Sequence, residues 1–154
     1  MNRRFTQRGG WWVTVQFLML LAIAALGIAC RQRPENRPLF VCSLALLAVA
    51  AICGLAGLFN LGRNLTPFPT PSAKTRLVRH GIYRWMRHPL YLAVMCAAAG
   101  WSLFWQSWPA LATSLVLVVF FDAKARHEER WLQHQFSDYA EYARRVKRFI
   151  PWLY

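Results

Sequence analysis

The stretch from Arg79 to Tyr91, R-H-G-I-Y-R-W-M-R-H-P-L-Y, combines arginines and histidines with aromatic and aliphatic side chains. Pro89 fixes its own φ and disfavours the α region for His88, so this dipeptide predicts a helix start. A long apolar segment follows directly. A helix start offers unpaired N–H groups and the positive end of the helix dipole. The stretch therefore predicts a cationic, aromatic site at the mouth of a membrane helix, suited to an anionic group on an apolar molecule.

An alternative interpretation applies to each of these residues taken singly. Basic residues beside a membrane helix commonly mark topology and face lipid phosphates. Tryptophan and tyrosine at that depth commonly anchor a helix at the interface. The grouping of histidine, proline and tyrosine at one helix start is what favours a binding site.

The composition of the chain indicates a membrane protein. Its 154 residues carry a net charge of +13, yet 56% of them are hydrophobic. In a soluble protein such a charge would suggest nucleic acid, but here the charges avoid the apolar runs, so no nucleic-acid partner is expected. The length fits a single domain, residues 1–154. The cysteines lie in apolar runs without metal-ligand spacing, so neither a disulfide framework nor a metal site is expected.

Four apolar runs predict an all-α polytopic fold with four transmembrane helices. Their approximate bounds are 11–30, 38–61, 90–108 and 109–125, close to the ~20 residues that cross a bilayer. The first run is expected to be a retained helix rather than a signal peptide. Gly54 and Gly57 in the second favour close helix packing. The fourth helix is expected to continue past the bilayer to about Phe136, near the Arg79–Tyr91 stretch.

The basic residues predict the orientation. With four spans, sixteen of the nineteen fall on one side and three on the other. The positive-inside rule places the richer side, with both termini, in the cytoplasm, and the protein in the inner membrane. The long connection 62–88 lies on that side. Prolines make its first half extended, and its aromatic, basic second half favours a functional role.

A second charged segment, K-A-R-H-E-E from Lys124 to Glu129, follows the fourth apolar run. One interpretation is a solvated helix with local ion pairs, each worth a few tenths of a kcal/mol. The other is a carboxylate and a cation held at the edge of the bilayer to complete the site. Because Trp131 occupies the second histidine position, H-E-x-x-H is absent and a zinc protease is unsupported. Rossmann, P-loop and nucleophile-elbow motifs are also absent from the sequence, so a nucleotide-like cofactor would bind in another way.

Four motifs carry a resemblance to a known family: GIYRWMRHPLYL at 81–92, EERWL at 128–132, FSDYAEY at 136–142 and RVKRFIP at 145–151. In this order they resemble the isoprenylcysteine carboxyl methyltransferases, integral-membrane enzymes that also resemble phospholipid methyltransferases. The resemblance runs from about Thr75 onward. Ala93 stands where the family usually has glycine.

The resemblance implies that S-adenosylmethionine binds between the first two motifs. The implied cofactor residues are Thr75, Arg76, Leu77, Val78, Tyr83, Arg87, His88, Pro89, Leu90, Tyr91 and Glu128. The family's acceptor-binding cation falls on Lys124 or Arg126, with Glu129 as the catalytic carboxylate beside it. The acceptor would be a lipophilic small molecule or a lipid-modified group that reaches the site from the membrane lipids.

The chemistry of methyl transfer agrees with these residues. Arginine and histidine can hold the cofactor's carboxylate, and aromatic faces can hold its adenine and its cation. A carboxylate acceptor needs positioning and a dry site rather than a general base. Three alternatives remain: an N-methyltransferase for amine headgroups, an NADPH-dependent membrane reductase, which the short chain disfavours, and a non-enzymatic protein that binds anionic lipid.

Overall fold

The computed structural model describes residues 9–32, 36–62 and 77–154. They form five α-helices: α1 Gly10–Ala29, α2 Arg37–Leu61, α3 Pro89–Phe104, α4 Trp108–Gln135 and α5 Tyr139–Arg145. A 3-10 helix, Gly81–Arg84, precedes α3. These residues contain no β-strand beyond one isolated parallel bridge, so the all-α prediction is confirmed. The predictions for the N-terminal tail, for the proline-rich half of the long connection and for Thr75 and Arg76 fall outside the described residues.

Side-chain caps and prolines explain where the long helices begin. The Asn36 side chain accepts a hydrogen bond from the Leu39 amide at 3.2 Å at the start of α2. Ser107 does the same for the Ala110 amide at the start of α4, at 3.4 Å. α3 begins at Pro89, which confirms the predicted helix start. In each case the first turn contains a proline, whose missing N–H would have had no helical partner.

Three of these helices, α1, α2 and α4, are long and apolar enough to cross a membrane. α3 has 16 residues, about 24 Å of helix against the ~30 Å of hydrocarbon in a bilayer. It ends at Phe104, before the predicted boundary, because Gln106 adopts a φ of 48° and Ser107 caps the next helix. Trp108, which was predicted to lie at the end of the third helix, is the first residue of α4. The crossing of four helices stays a prediction.

Small residues let α2 and α3 pack closely. A methyl group at Gly54 would lie 3.5 Å from the Ala93 methyl, and one at Gly57 would lie 2.8 Å from Leu90 Cδ2. The packing predicted for these two glycines is therefore confirmed. A buried cluster that includes Ile23, Met95, Leu117, Phe121 and Phe149 joins α1, α3, α4 and the C-terminal segment.

The C-terminal segment holds the start of α3 in place. The backbone amide of Arg87 donates to the Lys147 carbonyl at 2.9 Å, and that of His88 donates to the Arg148 carbonyl at 3.0 Å. α4 runs to Gln135, as predicted, about 42 Å in all. Its C-terminal part and the start of α3 therefore lie side by side, and the motifs of the sequence meet there.

Candidate active site

Glu129 is the centre of a buried ion network. Its carboxylate accepts hydrogen bonds from Arg87 Nε at 3.0 Å and from Arg148 Nη2 at 2.9 Å, and it lies 3.1 Å from His88 Nε2. The residue is only 7% exposed. A buried carboxylate requires such partners, and removal of one would leave uncompensated charge. The geometry makes Glu129 the anchor that joins α4, the start of α3 and the C-terminal segment.

The two arginines of this network hold further elements. Arg87 Nη1 donates to the Ala143 and Val146 carbonyls, at 2.6 and 3.0 Å, at the C-terminal end of α5, where a cation is favoured. Arg148 Nη1 donates to Asp122 at 2.8 Å. Its hydrogen bonds to Glu129 raise the pKa of Arg148 further above its ordinary value. Arg148 therefore stays charged in the network.

The rings of His88 and Tyr91 form a second group beside the network. They stack with centroids 5.2 Å apart and planes at 8°. The Tyr91 hydroxyl donates to Glu128 Oε2 at 2.6 Å, and His88 Nδ1 lies 3.9 Å from the same oxygen. The side chain of Glu128 is 24% exposed, so its carboxylate keeps acceptor capacity for a ligand. The structure thus brings together His88, Tyr91 and Glu128, three of the predicted cofactor residues.

Lys124 brings a buried cation to this group. It is 1% exposed, and its Nζ donates to Gln16 Oε1 of α1 at 2.7 Å. The same nitrogen lies 5.2 Å from the Tyr91 ring centroid, within the range of a cation–π interaction. Glu128 follows one turn later on the same face of α4. Gln16 was not among the predicted site residues; the available signal was a lone amide in an otherwise apolar helix.

Arg126 lies on a different face of α4. Its Nε pairs with Asp122 at 2.8 Å, its Nη2 donates to the Tyr154 hydroxyl at 3.2 Å, and the residue is exposed. Two residues along an α-helix correspond to a rotation of about 200°, which separates this side chain from Lys124. Of the two predicted cations, the structure brings Lys124 to Tyr91.

The remaining predicted cofactor residues in the described part of the chain differ in burial. Tyr83 is buried, and its carbonyl accepts a hydrogen bond from the Tyr142 hydroxyl at 2.6 Å. Burial raises the pKa of Tyr142 to about 12, so this hydroxyl remains a donor at physiological pH. Pro89 is buried, while Leu77, Val78 and Leu90 are half-buried.

A glycine fixes the 3-10 helix against α2. Gly81 has a φ of 60°, and an added methyl group would collide with the Asn60 side chain. The Asn60 Oδ1 atom accepts a hydrogen bond from the Ile82 amide at 2.9 Å. The turn that carries Tyr83 is therefore tied to the end of α2, a contact that the sequence did not predict.

An open cleft of about 470 Å³ includes Tyr142 in its lining. Its lining residues are Arg79, Arg84, Glu141, Tyr142, Arg145 and Val146. None of these is among the predicted cofactor residues. Arg79 forms an ion pair with Asp138, and Arg145 pairs with Glu141.

Comparison with known proteins identifies the family. Residues 39–139 match the family model described as phospholipid methyltransferase. A probable protein-S-isoprenylcysteine O-methyltransferase of Oryza sativa subsp. indica is 35% identical over 80 residues, 51% of this chain and 42% of the relative. Protein-S-isoprenylcysteine O-methyltransferase A of Arabidopsis thaliana is 30% identical over 115 residues, 71% of this chain and 58% of the relative.

A bacterial relative carries a different kind of name. The cobalt-zinc-cadmium resistance protein CzcN of Cupriavidus metallidurans is 36% identical over 78 residues, 50% of this chain and 36% of that protein. The matches to these three relatives thus span between about a third and three fifths of their length. The matched segment contains the first two motifs, and the resemblance drawn from the sequence is confirmed. The chain belongs to the phospholipid methyltransferase family, together with the protein-S-isoprenylcysteine O-methyltransferases.

Proposed function

We propose that the protein transfers a methyl group from S-adenosylmethionine to the carboxylate of a membrane-embedded, lipophilic acceptor, of which a prenylated cysteine is the best match. One observation carries the proposal. The stacked His88 and Tyr91 rings, the partly exposed Glu128 carboxylate and the buried Lys124 ammonium lie together at the start of α3. The names of the plant relatives support the same reaction.

The described residues fit the proposed cofactor. When bound, S-adenosylmethionine would supply an electrophilic methyl group on a sulfonium. The faces of His88 and Tyr91 would hold flat or cationic parts of it, and Glu128 would accept hydrogen bonds from its hydroxyl or ammonium groups. Leu77 and Val78 would cover apolar parts. Most donors of Arg87 are taken up by Glu129 and the α5 carbonyls, so in this proposal Arg87 positions His88.

Lys124 would orient the acceptor. Its ammonium group attracts a carboxylate, and attraction is strong where water is excluded. A carboxylate oxygen forms the new O–CH3 bond while the methyl–sulfur bond breaks, and no proton has to be removed. The residues of this chain therefore need to bind, align and exclude water. The proposal assigns the acceptor-binding role to Lys124 rather than Arg126, and an anchoring role to Glu129.

Transfer to an amine headgroup is the second candidate function. The family description favours it, and an aromatic ring beside a carboxylate, such as Tyr91 with Glu128, is a suitable environment for an ammonium group. The buried Lys124 ammonium argues against it, because like charges repel at short distance.

A transfer assay separates the two candidates. The protein, purified in detergent, is incubated with S-adenosylmethionine labelled on its methyl group and with an S-farnesylated N-acetylcysteine, its methyl ester or phosphatidylethanolamine. We expect the labelled methyl group to appear only on the free acid, as a methyl ester that base hydrolyses. Label in phosphatidylethanolamine would favour the amine reaction. No transfer to either acceptor, with no binding of the cofactor, would contradict both candidates.

We further propose that the protein lies in the inner membrane with four spans, α3 included, and with the side rich in basic residues in the cytoplasm. The proposal rests on the distribution of the nineteen basic residues and on the continuous packing of α3 against α2. The site would then open at the cytoplasmic edge of the bilayer, where a soluble cofactor and a lipid-borne acceptor can both reach it.

A further inference from the structure

α1 is almost entirely apolar and carries a single amide side chain. Its other hydroxyl- or amide-bearing residue, Thr14, donates to the carbonyl of Gly10 one turn earlier, at 3.2 Å. Gln16 instead reaches another helix, and its Oε1 accepts the 2.7 Å hydrogen bond from Lys124 Nζ. An amide among apolar side chains is unfavourable unless it is hydrogen-bonded. The contact explains how the fold accommodates Gln16, but packing alone would be served better by an aliphatic residue.

The direction of this hydrogen bond fixes the orientation of the Gln16 side-chain amide. A lysine ammonium group has donors only, so the oxygen of Gln16 must face it. The Nε2 group of Gln16, with two N–H donors, therefore points away from Lys124. Gln16 as a whole is half-buried, whereas Lys124 is 1% exposed. The contact thus brings together one ammonium group and one amide from two different helices.

The position of this pair relates it to the site. Lys124 Nζ lies 5.2 Å from the centre of the Tyr91 ring, whose hydroxyl bonds to Glu128. Farther toward the start of α1, the Trp12 ring packs against Phe120 and His127 of α4. The first helix is therefore fixed along the same stretch of α4 that carries Lys124. It lies outside the matched residues 39–139.

We propose that Gln16 is an acceptor-positioning residue: it holds the Lys124 ammonium group toward Tyr91 and supplies an N–H donor, so that the site selects a lipophilic acceptor with a free carboxylate. The inference rests on the proposed function, and it gives α1 a part in the choice of acceptor. A carboxylate can accept from both groups at once. Its methyl ester lacks the negative charge, so it gains less from the pair.

The test uses two substitutions with different consequences. Gln16→Met keeps the length of the side chain and removes both the acceptor and the donors. Gln16→Glu can still accept a hydrogen bond from Lys124. Its negative charge, however, balances that of the ammonium group, and an ionised carboxylate has no donor. Thr14→Val, on the same helix, is the matched control, because the Thr14 hydroxyl donates to the Gly10 carbonyl of its own helix. Both substitutions of Gln16 should keep the affinity for S-adenosylmethionine.

Competition binding in detergent measures the affinity of each variant for an S-farnesylated N-acetylcysteine and for its methyl ester. The quantity compared is the ratio of these two affinities. We expect the wild type and Thr14→Val to prefer the acid by about tenfold or more. Both Gln16 variants should lose most of this preference and, in the transfer assay, show a raised KM for the acid.

Three results would overturn the inference. The first is a wild type that does not distinguish acid from ester. The second is a preference that either Gln16 variant retains within about twofold. The third is a loss of cofactor affinity in parallel with the loss of acid binding, which would make Gln16 a general structural residue. A wild type that prefers the acid but transfers no methyl group would contradict the proposed function and leave the role of Gln16 in binding intact.

Discussion

The Tyr91 hydroxyl donates a 2.6 Å hydrogen bond to Glu128 Oε2, which joins the first turn of α3 to the C-terminal part of α4. The two residues are 37 positions apart in the chain and belong to two different motifs. The stacked His88 ring is in turn tied to Glu129. The neighbouring glutamates therefore differ in role. Glu129 joins α4 to the start of α3 and to the C-terminal segment, and Glu128 is available to a ligand.

Lys124 and Arg126 provide a matched pair of substitutions. In Lys124→Met, transfer to a carboxylate acceptor should slow by about one to two decades, since a charge-assisted hydrogen bond contributes roughly 1.5–3 kcal/mol. The affinity for S-adenosylmethionine should be kept. Arg126→Met removes an exposed cation paired with Asp122 and should change turnover little. Initial rates of labelled methyl transfer test this. Unchanged turnover in Lys124→Met, or an equal loss in both variants, would contradict the assignment.

Glu129→Gln should destabilise the protein. It leaves Arg87 and Arg148 without their shared carboxylate in a buried site, and such a change lowers the free energy of unfolding by about 3–5 kcal/mol. Thermal denaturation in detergent measures the effect. Glu141→Gln is the control, because Glu141 forms an exposed pair with Arg145 one turn away and contributes a few tenths of a kcal/mol at most. Equal melting temperatures would contradict the anchoring role of Glu129.

Gly81→Ala should weaken the 3-10 helix and with it the affinity for the cofactor. Gly81 and Gly62 both have positive φ, 60° and 51°, so alanine at either position strains the backbone, by about 1 kcal/mol. A methyl group added at Gly81 would also collide with the Asn60 side chain, whereas one added at Gly62 meets no described atom within 4 Å. Comparison of the two alanine variants by melting temperature isolates this contact. A loss at Gly62 as large as at Gly81 would argue that Asn60 has no such role.

The proposed orientation predicts opposite labelling of two positions. Single cysteines at Asn2 and Glu35, in a cysteine-free background, should react with a membrane-impermeant reagent from opposite sides of the inner membrane. Position 35 should label from the periplasm of intact cells, and position 2 only after the cells are opened. Labelling of both positions from the periplasm would rule out the topology.

Local rules predicted the features that depend on neighbouring residues. The helix start at Pro89 follows from the restriction that proline imposes on His88. The close packing of α2 against α3 follows from the small side chains of Gly54 and Gly57. The length of α4 follows from an uninterrupted stretch without proline or glycine after Pro109.

Features that depend on distant residues were beyond these rules. Spacing along α4 shows that Lys124 and Arg126 face different directions, but the packing of α1 decides which of them is buried. The bond from Lys124 to Gln16 joins residues 108 positions apart. The network of Glu129 likewise requires the C-terminal segment to pair with Arg87 and His88. A boundary between the third and fourth helices was predicted beside Pro109, but the exact end of α3 depends on the positive φ of Gln106, a position without proline or glycine.

Calorimetric titration of S-adenosylmethionine into the purified protein tests the central claim most directly. The wild type should bind the cofactor, and Glu128→Gln should bind it about tenfold or more weakly, because a hydrogen bond to a charged group contributes roughly 1.5–3 kcal/mol. Glu141→Gln, the exposed carboxylate control, should bind like the wild type. No heat of binding in the wild type, or equal affinities in wild type and Glu128→Gln, would contradict a cofactor site at His88, Tyr91 and Glu128.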